Sequence, residues 1–444
     1  MTTLISFDPA TGAEVGRVSS TDPADMAAHV ARARAAHPSW GARSRSERAD
    51  LVRRAGEAVV PHRQELTELL SREMGKDLRR ASGEVGAASY GLGALAQDVE
   101  RALAPRSQGG TTLDYRPLGV AGIVSPWNYP LAMAVNLLVP ALVAGNTVVF
   151  KPSEETPLVA DRWVAILNEV LPTDVLQIVH GAAPQGQALV DAGLDVIGFT
   201  GSMAAGQDIM RRAAPHLTRL VMELGGNDAL IVLASADVRR AAAFAVASSF
   251  ENAGQMCTST ERIYVDARIA EAFEQEVVQL ARRYRVGPWN DPHADIGPII
   301  HERQRARILA HIDDATAHGA RVLLGGEHPD RYVAPTVLTG ITDAMAMARE
   351  ETFGPVVAIQ HFADVADAIA RANGTEYGLG AVVFGGDDAP AVADQLVAGM
   401  IGINAGPGGG GDAPWVGARK SGFGFHGSAE GHRQFAQVRV TRSR

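Results

Sequence analysis

The rhythm of apolar and polar positions changes twice along this chain. Between residues 23 and 105 apolar side chains recur at helical spacing, as in Leu51, Ala55, Val59 and again in Leu66, Leu69, Leu70. That period predicts helices that bury one face. From residue 119 the pattern becomes short apolar runs, most of them rich in β-branched residues, at 119–124, 147–150, 176–179, 195–199 and 220–222. Helix-like stretches at 158–170 and 203–213 separate several of them. Strand, helix, strand in this order predicts parallel strands with helical crossovers, a doubly wound α/β layout suited to a nucleotide. A second α/β block begins near 227, with strands near 229–233 and 262–265 and a helix near 269–284. The run 434–440 reads as a strand that pairs with another element.

Composition narrows the functional classes. With 444 residues, 46% of them hydrophobic and 20% charged, the chain has material for two or three packed domains. The 41 basic and 50 acidic residues leave a net charge of −9, with no basic block, so nucleic acid is not the expected partner. Residues 1–9 lack the basic-then-apolar signature of a secretory signal. No apolar run reaches the roughly 18 residues that span a bilayer, so no membrane partner is expected. One cysteine allows neither an internal disulfide nor a cysteine-based zinc cluster. No metal site is expected, and the cytoplasm is the expected location.

That lone Cys257 is either an inert buried thiol or a reactive one. It follows Phe250-Glu251-Asn252-Ala253-Gly254-Gln255-Met256, in which Asn252, Gly254 and Gln255 suit an irregular turn. Glu223 ends an apolar strand and precedes Leu224-Gly225-Gly226; taken alone it reads as a solvated strand-end carboxylate followed by a turn. Asn128 stands in Pro126-Trp127-Asn128-Tyr129-Pro130, a plain loop or a means of fixing an amide. The segment from Gly201 and Ser202 to Gly206 opens a helix whose free N–H groups suit a pyrophosphate, although glycine also simply ends strands.

Pro-Trp-Asn-Tyr-Pro, Phe199-Thr200-Gly201-Ser202, Glu223-Leu224-Gly225-Gly226, Gly254-Gln255-Met256-Cys257 and Glu351-Thr352-Phe353-Gly354-Pro355 follow one another in an order and spacing that resemble the aldehyde dehydrogenase superfamily, from about Asp8 to Gln437. The resemblance implies a Rossmann-like cofactor domain at 1–106 and 119–226, an α/β catalytic domain at 227–421, and a small β oligomerisation flap at 107–118 and 422–444. A homodimer or homotetramer follows from it. Cys257 is then the nucleophile that attacks an aldehyde, with Asn128 and its own N–H stabilising the oxyanion. Hydride passes to the nicotinamide, and Glu223 activates the water that hydrolyses the thioester. The cofactor is NAD, with NADP left open. Lys151 and Glu154 match the residues that hold the adenine ribose, though a surface ion pair is the bland alternative. Glu351 and Phe353 match those at the nicotinamide ribose and ring. Pro126, Trp127, Ser153, Gly201, Ser202 and Leu224 complete the expected cofactor set.

The chain departs from its relatives in two places. Asn136, Glu251 and Gly409 stand where apolar-substrate relatives carry aromatics, and with Tyr129 they are the expected substrate residues. They point to a polar tunnel for a hydroxy- or amino-aldehyde, unless Glu251 turns away; a carboxylate-bearing semialdehyde competes, since the short amino terminus is similar to succinate semialdehyde dehydrogenases. Gly424-Phe425-His426 replaces Gly-Arg-Glu, so His426 either takes part in proton transfer or merely packs. Coenzyme A-acylating relatives generally lack a base where this chain has Glu223. A non-catalytic descendant is disfavoured by intact Cys257, Glu223, Asn128, Lys151 and Glu351.

Overall fold

The computed structural model describes residues 2–326, 328–408 and 412–443. Five helices, Met26–Gly41, Arg45–Val59, Arg63–Met74, Leu78–Ala87 and Gly91–Ala102, fill the amino-terminal third. The expected stripe forms one of their buried faces: Ala55, Val59, Leu66 and Leu70 are in the core, with Leu51 and Leu69 packed at its margin. The hairpin Thr3–Phe7 with Glu14–Ser19 was not foreseen. Its residues alternate too weakly to separate a half-exposed strand from a loop.

The first sheet places Gly422–Phe423, Arg219–Glu223, Val196–Thr200, Val120–Val124, Thr147–Lys151 and Leu176–Ile178 side by side in that order. All pairs are parallel except the first, in which Gly422 lies opposite Glu223. The order reverses at Val120–Val124, which is where an open α/β sheet leaves a crevice beyond the carboxyl ends of its strands. The second sheet runs Arg321–Leu324, Thr336–Thr339, Val356–Phe362, Thr260–Asp266, Asp228–Val232, Gly380–Phe384 and Met400–Ile403. Only its edge pair, Arg321–Leu324 with Thr336–Thr339, is antiparallel. Central strands of both sheets are buried from end to end, as parallel strands covered on both faces must be.

A third, antiparallel sheet pairs Ala436–Arg442 with Thr111–Pro117 and that with Arg106–Gln108. The flap expected at 107–118 and 422–444 is therefore narrower at its second segment. Gly422–Phe423 extends the first sheet, and Phe425–His426 pairs with Trp415–Val416. The positive φ of Gly422 (119°) and Gly424 (68°) permits these changes of partner within five residues.

Candidate active site

The strand ending at Glu223 and the strand beginning at Asp228 belong to different sheets, so the chain crosses between them in four residues. Cys257 precedes the strand Thr260–Asp266, whose first residue lies beside Asp228. Glu223 at a carboxyl edge and Cys257 at an amino edge thus meet in one cavity of about 390 Å³. Asn128, Tyr129, Met133, Met256 and Trp415 form further walls of it, with Trp127, Leu224, Glu351 and Phe353.

The loop that carries Cys257 is strained. Asn252, Ala253 and Gly254 have φ of 52°, 59° and 71° in succession, and a left-handed non-glycine residue costs on the order of 1–3 kcal/mol. At Gly254 a Cβ would stand 2.0 Å from the carbonyl oxygen of Gly354, so only glycine fits against the Glu351–Phe353 turn. Buried amides hold the loop in place. Asn252 Nδ2 donates to the carbonyls of Asn128 and Gln255, both at 3.2 Å, and Gln255 Oε1 accepts from Ile300 N at 3.0 Å. Asn128 Nδ2 donates to Gln255 O at 3.0 Å. One amide proton of Asn128 is used there, and the second remains for a ligand.

Glu223 is not solvated: it is 5% exposed, and neither carboxylate oxygen has a hydrogen-bond partner among the described residues. Burial pushes its pKa up to about 7. The Cys257 thiol, Trp415 and Thr200 pull it back somewhat, though none stands in normal hydrogen-bonding geometry. Cys257 is reached through the cavity while protein surrounds it on the other sides. That burial, and then the Glu223 charge, raise its thiol well above the ordinary range. Glu351 accepts from Gly226 N at 3.0 Å, and burial takes it to about 7. Buried Asp228 reaches about 7 and Glu261 about 8, for the same reason. Glu261 holds the turn at Phe353 by accepting from Thr352 N and Phe353 N, both at 2.7 Å.

The cavity opens into a groove of about 650 Å³ that contains Pro126, Trp127, Lys151, Ser153, Glu154, Gly201 and Ser202. It lies in the crevice beyond the carboxyl ends of Val120–Val124, Thr147–Lys151 and Val196–Thr200. Its features fit a dinucleotide. The buried Lys151 ammonium makes one hydrogen bond among the described residues, to Pro152 O at 2.8 Å, with Glu154 at 3.8 Å. Ser202 caps the helix Met203–Ala213, leaving other first-turn N–H groups for an anion. Trp127 and Phe353 meet edge-on with centroids 5.5 Å apart and offer an apolar wall for a ring.

The expected substrate residues are divided. Tyr129 lines the cavity; Asn136 and Glu251 do not. Asn136 is half-buried on the helix Pro130–Ala144. Glu251 turns to Arg80, which donates to its two oxygens at 2.7 and 2.9 Å, and it also accepts from Tyr129 Oη at 3.2 Å. The lone cavity-facing charge expected of Glu251 is therefore absent, because a guanidinium pairs with it. Gly409 lies outside the described residues. His426 packs: it stacks on Trp415 with planes 14° apart, and burial lowers its pKa to about 4. Trp415, Met133 and Arg307 were missed; each is an isolated side chain in no distinctive local pattern.

Comparison with known proteins agrees with this arrangement. The family model described as Aldehyde dehydrogenase family matches residues 2–441. A putative succinate-semialdehyde dehydrogenase (NADP+) of Mycolicibacterium smegmatis is 38% identical, over 95% of this chain and 85% of its own length. A betaine aldehyde dehydrogenase of Cereibacter sphaeroides is also 38% identical, over 97% and 92%. The crystal structure of lactaldehyde dehydrogenase from Escherichia coli superposes with a TM-score of 0.95 at 30% identity, covering 99% of this chain and 95% of that one. Motifs, sheet order and sequence similarity extending through nearly the whole length converge on one conclusion: the chain belongs to the aldehyde dehydrogenase family.

Proposed function

We propose that this enzyme oxidises aldehydes to carboxylic acids through a thioester on Cys257, with Asn128 as oxyanion donor and Glu223 as hydrolytic base. The observation that carries the reading is the meeting of a thiol from one sheet edge with a buried carboxylate from the other that has no hydrogen-bond partner among the described residues. Sulfur attack on the aldehyde carbon forms a thiohemiacetal, and the free N–H of Asn128 Nδ2 and the Cys257 N–H receive its oxyanion. When bound, the oxidised nicotinamide dinucleotide would supply the hydride acceptor. Glu223, titrating near neutrality, then removes a proton from water as that water attacks the thioester, releasing the acid and regenerating the thiol. An acyl adduct on Cys257 in Glu223→Gln, read by intact mass after incubation with aldehyde and NAD, tests this reading; a chain that turns over without Cys257 overturns it.

Lys151, Ser153 and Glu154 hold the adenine ribose in this reading, Gly201 and Ser202 the pyrophosphate, and Glu351 the nicotinamide ribose, with Pro126, Trp127, Leu224 and Phe353 against the rings. NAD is the preferred cofactor and NADP the weaker one. Like charges ~4 Å apart cost ~4 kcal/mol at an effective dielectric of ~20, but Glu154 is 40% exposed beside Lys151, so solvent screens much of that. The NADH and NADPH dissociation constants, and their convergence in Glu154→Gln, measure the preference.

For the substrate, the walls near Cys257 are Tyr129, Met133, Met256 and Trp415, and the one cation on the cavity among the described residues, Arg307, stands by Glu350 and Glu351. The two carboxylates on the cavity, Glu223 and Glu351, outnumber that paired cation, which favours a polar aldehyde with an ammonium group over one with a carboxylate. The relatives' names supply both test compounds: betaine aldehyde should exceed succinate semialdehyde in kcat/KM. The strand Ala436–Arg442 forms an edge of its sheet with Val438 and Val440 exposed, which supports assembly into a homodimer or homotetramer. Sedimentation velocity decides between them. No helix among the described residues is long and apolar enough to cross a membrane.

A further inference from the structure

A buried ion pair lies directly behind the oxyanion site. Lys76 Nζ is fully enclosed and donates to Glu84 Oε2 at 2.5 Å and to the backbone carbonyl of Asn128 at 2.8 Å. The same nitrogen stands 3.6 Å from the centroid of the Tyr129 ring. Glu84 uses its other oxygen to accept from Leu131 N at 2.9 Å and Ala132 N at 3.1 Å. Those are first-turn N–H groups of the helix Pro130–Ala144, whose N-cap, Tyr129, makes no side-chain cap. A carboxylate borrowed from another helix therefore does the capping.

Two charges withdrawn from water cost several kcal/mol each after relaxation, so such a pair persists only when geometry satisfies both ions. Here every group has a partner, and every partner lies between Asn128 and Ala132 or within the pair. We propose that Lys76 is a positioning residue of the oxyanion site, with Glu84 as its anchor: the pair fixes the Asn128 backbone and the Tyr129 ring, and so sets where the Asn128 amide points. The inference rests on the reading of Asn128 as oxyanion donor. Asn252 donates to the same Asn128 carbonyl from the Cys257 loop, so Lys76 also shares an acceptor with the nucleophile's own support. Displacing a catalytic group by ~1 Å costs ~10²-fold in rate.

The test uses Lys76→Met and, because an unpaired buried Glu84 threatens folding, the neutral pair Lys76→Gln/Glu84→Gln. Three rates are read: the pre-steady-state NADH burst, deacylation, and alkylation of Cys257 by iodoacetamide, which forms no oxyanion. The burst and deacylation should each fall ~10²-fold, with alkylation and the NADH dissociation constant within about 3-fold of the parent, close to the ordinary scatter of surface substitutions. Adding Lys76→Met to Asn128→Ala should then bring little further loss, since one acts through the other. Alkylation falling with the burst marks general structural damage and overturns the proposal, as does full additivity with Asn128→Ala. A normal burst in Asn128→Ala alone instead removes the oxyanion reading itself.

Discussion

Glu223 and Cys257 share the floor of one cavity with opposite effects on each other: the carboxylate raises the thiol's pKa, and the thiol lowers the carboxyl's. Removing the charge should release the thiol. In Glu223→Gln without cofactor, iodoacetamide should label Cys257 faster at pH 7 than in the parent, because the thiol is relieved of the neighbouring charge that raises its pKa. Slower labelling would instead make Glu223 the base that deprotonates the thiol. With one cysteine in the chain, intact mass reports the reaction without ambiguity.

The same substitution should split the two half-reactions. Glu223→Gln should keep the NADH burst and lose steady-state turnover by ~10²- to 10⁴-fold, the range for a general base. In the parent enzyme deacylation requires ionised Glu223, so its rate should climb as pH rises through about 7. Rapid-quench measurement of the acyl-enzyme between pH 6 and 8 checks the direction.

Arg80 and Glu251 make a nearly neutral pair beside the Tyr129 hydroxyl. Glu251→Gln leaves the guanidinium with Asp77 as its partner and should favour an anionic semialdehyde over an ammonium aldehyde. Arg80→Gln should do the reverse. Each shift is expected at ~5-fold in kcat/KM, because ~1 kcal/mol is what a partly exposed charge contributes. Equal changes for anionic, neutral and cationic aldehydes would leave the pair as packing alone.

Four buried carboxyls, Glu223, Asp228, Glu261 and Glu351, have folded pKa values of about 7, 7, 8 and 7. These lie above their unfolded values near 4. The folded state therefore binds more protons, so their contribution to stability is full below pH ~4 and lost as pH rises towards 8. Buried His426 and His432, lowered to about 4, act oppositely, but only below their ordinary 6.5. The Tm of the cofactor-free protein should therefore fall from pH 6.5 to 8. Asp228→Asn should flatten that slope in differential scanning calorimetry, since Gly380 N still finds an acceptor there.

The strands at 120–124, 147–151 and 196–200 were legible because fully buried parallel strands read as unbroken apolar runs. The motifs placed Glu223, Asn128 and Lys151 because each sits at or just after the carboxyl end of a strand, and Cys257 because it sits in a tight turn just before one, and such turns leave a local signature. Lys76, Arg80 and Trp415 left none. Lys76 is one lysine on a polar turn until the fold brings Glu84 and the Asn128 carbonyl to it. The direction of Glu251 stayed open in the sequence for the same reason: its partner stands 171 residues away in the chain.

The late position of Trp415 sets the order in which this cavity is completed during synthesis. Its indole walls the thiol's cavity, and soon after it Ser421 accepts from Leu224 N while Gly422 pairs beside Glu223. Trp415 is synthesised 158 positions after Cys257, a delay of roughly 8 to 30 s at ~5–20 residues per second. Until then the nascent chain carries a thiol without the wall that encloses it and a carboxylate without the strand that flanks it. Catalytic competence arrives with the carboxyl-terminal segment, so a chain stopped short of it holds the nucleophile and no enclosed site around it.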